Sequence, residues 1–231
     1  MPYILLAITL IFAASPWFVP DFGGFDADQF PIPQDDPPVQ PAGYAFAIWG
    51  IIYLWLIAGA AFGALRRREA PEWASFRAPL LVSVGIGAAW LPVAVMSPVW
   101  ATALIWLMWA GAAMALLRAP VQDRIWARGP IGLYAGWLTA ASCVSIGLMT
   151  AGYGLLSQVP AALLSITIAL VLALLIQRQR PDAPTFPAAV IWALIGVCVA
   201  NTGGSIAVLA LAATGAAALT FTMVQNIKNG R

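Results

Sequence analysis

Phe46, Trp49 and Tyr53 stand at i, i+3 and i+7, one stripe of a helix. Tyr134 and Trp137 repeat the first interval further along, as do Trp106 and Trp109, and Trp90 sits in its own apolar run at about the depth of Trp49. Flat aromatic faces gathered at one depth can stack, and so form a slot for a flat or elongated apolar molecule. The same side chains could instead fill the core of a helix bundle, and spacing alone leaves both readings open. The chain has 11 tryptophans, and they divide by position. Trp17, Trp73, Trp100 and Trp126 fall near the ends of apolar runs, where tryptophan collects at membrane interfaces. Trp49, Trp55, Trp106, Trp109, Trp137 and Trp192 lie several residues inside. A buried indole N–H needs an acceptor and hydrocarbon has none, so these are expected to face other helices or a ligand.

Other chemistry is missing. There is no histidine, which removes the commonest general base, the commonest metal ligand and the usual axial ligand of haem or chlorophyll-type pigments. No Asp, Glu, Lys or Arg falls inside the apolar runs, so a proton-coupled pump is not expected. Ser142, Cys143 and Ser145 lie together without a base to activate them, and their hydroxyls are expected to bond to the preceding helical turn. The chain therefore reads as a non-enzyme. Cys143 and Cys198 both sit in apolar runs and suggest neither a disulfide framework nor a zinc site. Asp35-Asp36 resembles the aspartate pairs that hold magnesium-diphosphate in prenyl-transferring enzymes, but those enzymes use two clusters and only one loop here is acidic. Asp26 and Asp28 could join Asp35 and Asp36 around calcium. The simpler reading is a solvated loop that sets orientation, and no metal site is expected.

The elements that carry these residues follow from composition. Of 231 residues 62% are hydrophobic and 9% charged, against roughly 25% charged in a soluble domain, so a water-facing surface cannot be built. Eight apolar runs are legible, at about 3–19, 42–65, 78–96, 98–117, 130–149, 160–177, 185–200 and 203–223, the first and seventh short for a span. They are continuous rather than alternating, which excludes a β-barrel. Pro31, Pro33, Pro37, Pro38, Pro41, Pro71, Pro120, Pro181 and Pro184 mark the breaks. With the N-terminus inside, every basic residue falls on the inner side: Arg66, Arg67, Arg68, Arg77, Arg118, Arg124, Arg128, Arg178, Arg180, Lys228 and Arg231. The first outer loop carries Asp21, Asp26, Asp28, Asp35 and Asp36 instead. This bias predicts an all-α membrane protein, a bundle of eight transmembrane helices with both termini cytoplasmic. No Lys or Arg precedes the first run, which is read as a retained span rather than a cleaved signal. Gly59 with Gly63, and Gly132 with Gly136, are pairs that allow close helix approach.

The run Pro41-Ala42-Gly43-Tyr44-Ala45-Phe46-Ala47-Ile48-Trp49-Gly50-Ile51-Ile52-Tyr53 resembles the first-helix signature of the TspO/MBR family, the tryptophan-rich sensory proteins of bacteria and the mitochondrial translocator protein. Ala89-Trp90-Leu91-Pro92 is similar to the family's Trp-Pro step near the end of its second helix. Pro130 to Thr139 is similar to a segment that carries a Trp four residues after its Pro; here Tyr134 replaces that Trp, and Ser142 a downstream Asn. The resemblance covers about 41–177. It implies a single transmembrane domain over 1–231, with an extra helix at 3–19, an acidic Pro-rich periplasmic loop at 20–41, a five-helix core at 42–177 and two extra helices at 185–223.

Members of that family bind porphyrins, sterols and drug-like aromatic compounds inside the five-helix bundle. Carried over by position, the ligand-binding residues would be Phe46, Trp49, Tyr53, Trp90, Tyr134 and Trp137, with Ser142 in place of the Asn. The resemblance implies a non-enzymatic protein of the bacterial inner membrane. Its ligand would be an apolar tetrapyrrole, carotenoid or lipid, held without a covalent cofactor, and its role the sensing, handling or transport of that molecule. The bilayer and an apolar small molecule are its expected partners, together with other membrane subunits or a second copy; nucleic acid is not. Two further readings stand beside this one. An accessory or assembly subunit of a larger complex, such as a photosynthetic reaction-centre or light-harvesting complex, fits the small loops and apolar surface. A passive transporter of an uncharged solute would need a path built from Ser142, Ser145, Thr150, Gln158 and Asn201, which are scattered.

Overall fold

A computed structural model describes residues 1–19 and 22–230. Asp21 and Arg231, counted above among the outer and inner charges, lie outside the described residues. The eight apolar runs become eight helices: α1 Pro2–Ala14, α2 Ile48–Arg66, α3 Pro71–Met96, α4 Pro98–Arg118, α5 Arg128–Gly152, α6 Gln158–Gln179, α7 Thr185–Ala200 and α8 Ile206–Lys228. Six of them are long and apolar enough to cross a membrane; Pro2–Trp17, which adds a 3₁₀ turn to α1, and Thr185–Ala200 are shorter. Proline at the first turn starts α3 and α4, where the missing N–H costs nothing. Ser97 and Ser205 cap α4 and α8 by accepting the backbone N–H three residues on.

The bundle is built around α5, which packs on α2, α4, α6 and α7 and is buried along most of its length. Two glycine pairs explain the close approaches. A Cβ at Gly136 would collide with the Phe186 carbonyl of α7, and one at Gly59 with the Trp126 carbonyl. The first helix lies between α2 and α3 and touches both, while at the basic end those two meet directly, Trp73 of α3 packing on Phe62 and Gly63 of α2.

At the basic end the arginines act as ties. Arg77 donates to the carbonyls of Arg67 and Arg68 at the end of α2, and Arg180 to those of Leu116, Leu117 and Ala119 at the end of α4. These carbonyls are the ones a helix leaves unpaired. Arg128, nearly fully buried, pairs with Asp182, which also accepts from Arg180. Burial works to raise the Asp182 carboxyl, and the hydrogen bond and charge of Arg180, with Arg128 behind, hold it below the usual carboxylate range. Arg67 grips Asp123 with two bonds of 2.7 and 3.0 Å, and that hydrogen bonding holds Asp123 low as well.

Trp73 departs from the interface reading. It is buried, and its indole N–H donates to Asp123 at 2.9 Å. An acceptor fifty residues away in the chain draws it inward. Trp17 and Trp100 remain largely exposed, and Trp126 stacks on Phe62 at 5.1 Å. Among the deep tryptophans, Trp55, Trp109 and Trp192 donate to the Ile125 carbonyl, the Thr139 hydroxyl and the Ala45 carbonyl. The N–H of Trp106 is buried without a partner among the described residues.

Candidate functional site

A short 3₁₀ turn, Gly43–Ala47, feeds α2 and sets Phe46 just ahead of Trp49. Trp49 and Tyr53 then stack along the helix, centroids 5.2 Å apart and planes 21° from parallel. Trp137 of α5 meets Phe46 edge-on at 5.7 Å and Trp49 at 6.3 Å. Tyr134, one turn earlier on α5, lies 6.3 Å from Trp49. Its hydroxyl donates to Ser83 Oγ at 2.9 Å, because the Ser83 hydrogen is already given to the Met108 carbonyl at 2.6 Å. Trp90 comes from α3 and is held by a 2.9 Å bond from its indole N–H to the Ala101 carbonyl of α4.

Two cavities lie among these rings. The larger, about 240 Å³, is walled by Trp49, Tyr53 and Trp90, with Phe46 and Met108. The smaller, about 60 Å³, lies beyond Phe46 and Trp90 and reaches Trp137 and Ser145. No charged side chain lines either among the described residues. Such walls can stack an apolar molecule, and the Tyr53 hydroxyl is the polar group of the three rings that wall the larger one.

Five of the residues expected from the sequence therefore meet at these cavities: Phe46, Trp49, Tyr53, Trp90 and Trp137. Two do not line them. Ser142 is fully buried and donates to the Ile105 carbonyl at 3.3 Å, a tie between α5 and α4. Tyr134 is fully buried behind another ring. That ring is Phe12 of α1, 2% exposed, which the sequence reading missed. It touches Trp49, Tyr53 and Tyr134 at 5.9, 5.1 and 5.7 Å. Leu5, Thr9 and Phe12, at i, i+4 and i+7, are the buried positions of α1, a stripe that burial shows and composition does not.

The scattered hydroxyls make no path. Ser145 donates to the Ser142 carbonyl and Thr150 to those of Ile146 and Gly147, each onto its own helix. Asn201 ties α7 to the Pro38 carbonyl at 2.9 Å. Asp35 and Asp36 line an open polar cavity with Gln158 and Asn201 at the acidic-loop end, without Asp26 or Asp28. Among the described residues no three His, Cys, Asp or Glu gather as a metal site.

No curated protein and no solved structure matches this chain. A family model described as TSPO-like protein does, over residues 32–225, from the acidic loop into α8. That match takes in every wall of the slot supplied by α2 to α5 and leaves α1 outside. The chain is a membrane protein of the TspO type and belongs to the TspO/MBR family.

Proposed function

We propose that this protein holds a flat or elongated apolar molecule in the aromatic slot, without catalysing its conversion, and acts in sensing, handling or transporting it. The ligand class is an aromatic or polyene compound of the tetrapyrrole, carotenoid or lipid kind. Its setting is the bacterial inner membrane, with eight spans and both termini cytoplasmic. The observation that carries the reading is the cavity of about 240 Å³ between Trp49, Tyr53 and Trp90, ringed by aromatic faces and free of charge among its described lining. Ligand sites are concave and mostly apolar, and this cavity is both.

The test uses 2-naphthol, a two-ring probe, read by quenching of tryptophan emission in matched detergent micelles. Trp49 offers a ring face and edge contacts each worth about 0.5–1.5 kcal/mol, so Trp49→Ala weakens binding about tenfold while the protein still elutes as a folded species. Unchanged affinity in that variant would remove Trp49 from the site and the slot with it.

A further inference from the structure

We propose that Phe12 is the floor of the slot and sets the size of the molecule it accepts. The proposal rests on the reading of the slot as a ligand site. The walls come from the part of the chain that matches the family, but the floor does not: the match begins at residue 32, and Phe12 lies on α1. The same outside segment supplies part of the roof, where Phe22 meets Trp90 at 5.4 Å and Phe25 meets it at 6.4 Å. The N-terminal extension therefore closes a groove that the rest of the chain leaves open between α2 and α3.

The floor is shaped for its ring. Gly87 of α3 lies directly behind it, and a Cβ there would stand 2.5 Å from Phe12 Cε2. On the other side the ring covers Tyr134, with Trp49 and Tyr53 along its edge. Polar groups of α1 do not compete for the place: Thr9 donates to the Leu5 carbonyl and Ser15 to that of Phe12. With the ring seated, about 240 Å³ remains, below the ~300–1,000 Å³ usual for drug-sized ligands. Without it, the cavity, which already touches Gly87, continues down to the face of Tyr134.

Two probes separate the possibilities: 2-naphthol, which the present cavity can take, and estradiol, a four-ring steroid too large for it but within reach once the ring is gone. Each is titrated against the full-length protein, Phe12→Ala and Phe12→Leu in matched micelles. Phe12→Leu keeps an apolar side chain over Tyr134 and so guards against a variant that fails to fold. The expected result is that the ratio of estradiol to naphthol affinity rises about tenfold in Phe12→Ala and by less in Phe12→Leu. Naphthol binding with a ratio unchanged in both variants overturns the role of Phe12 and leaves the slot standing. Failure of both probes to bind any of the three proteins overturns the slot itself, and Phe12's role falls with it.

Discussion

Replacing Phe12 by alanine tests how α1 is held, and the cost can be worked from the structure. In water a buried Phe→Ala loses ~3–5 kcal/mol, part of it the transfer of the ring out of solvent. In a bilayer that part vanishes, because lipid tails are as apolar as the slot and helices associate by packing. What remains is the void. At ~24 cal/mol per Å³, emptying the roughly 100 Å³ of a phenyl ring costs about 2.4 kcal/mol. Contacts with Trp49, Tyr53 and Tyr134 overlap with that figure and raise it modestly, since each aromatic pair contributes ~0.5–1.5 kcal/mol. The expected loss is about 2–4 kcal/mol, measured by reversible unfolding in mixed micelles of increasing SDS content. Leu10→Ala is the control: Leu10 is 48% exposed on the lipid side of the same helix, and its loss leaves no void. A Phe12→Ala loss under about 0.5 kcal/mol, or one equal to the control, refutes the claim that packing at this ring seats the helix.

Gly136→Leu should be worse tolerated than Gly50→Leu. A side chain at Gly136 runs into the Phe186 carbonyl, backbone that cannot step aside, whereas nothing lies within 4 Å of a Cβ at Gly50. The first should cost at least ~1–3 kcal/mol and lower the yield of folded protein in detergent, and equal yields would contradict the close α5–α7 approach. Acid should destabilise the basic end. Asp123 titrates below its ordinary value because of the Arg67 hydrogen bond, so its contribution is complete above about pH 4 and is lost as pH falls through the lowered value. Asp182, held low by Arg180, shares that window, so Asp123→Asn should flatten the acid limb of an unfolding curve only in part. An unaltered limb would show that the Asp123 pair contributes nothing to folding.

The helices were legible because the apolar runs are long and prolines or charges end them, so eight runs became eight helices, with ends shifted by as much as the seven residues between 78 and Pro71 at the start of α3. The gathering of rings at the start of α2 was legible, because Phe46, Trp49 and Tyr53 share one stripe, and all three line the larger cavity. Positional analogy served less well on α5. Tyr134 and Ser142 point to ties with Ser83 and Ile105 rather than to open space. Phe12 could not be singled out because α1 is apolar all round, and an inner face that differs from its lipid face only in packing leaves little periodicity. Trp73 was misread for a related reason. Its acceptor, Asp123, belongs to a loop fifty residues on, and nothing local announces such a pair.

The distribution of basic residues can be tested against a rival cause. Arg77 and Arg180 satisfy helix C-terminal carbonyls, and cations are favoured at any helix C-terminus by the macrodipole. If capping placed the arginines, every C-terminus would attract them. The C-termini of α2, α4, α6 and α8 do carry Arg66, Arg118, Arg178 and Lys228 in their last turns. Those of α1, α3, α5 and α7, which end toward the acidic loop, carry none. Capping explains what individual arginines do once in place, but it is blind to which end of the bundle they occupy. A one-sided pattern needs a one-sided cause, and the retention of Lys and Arg on the cytoplasmic face during insertion is such a cause. The asymmetry is the pattern expected of the orientation proposed above, in which the basic end faces the cytoplasm.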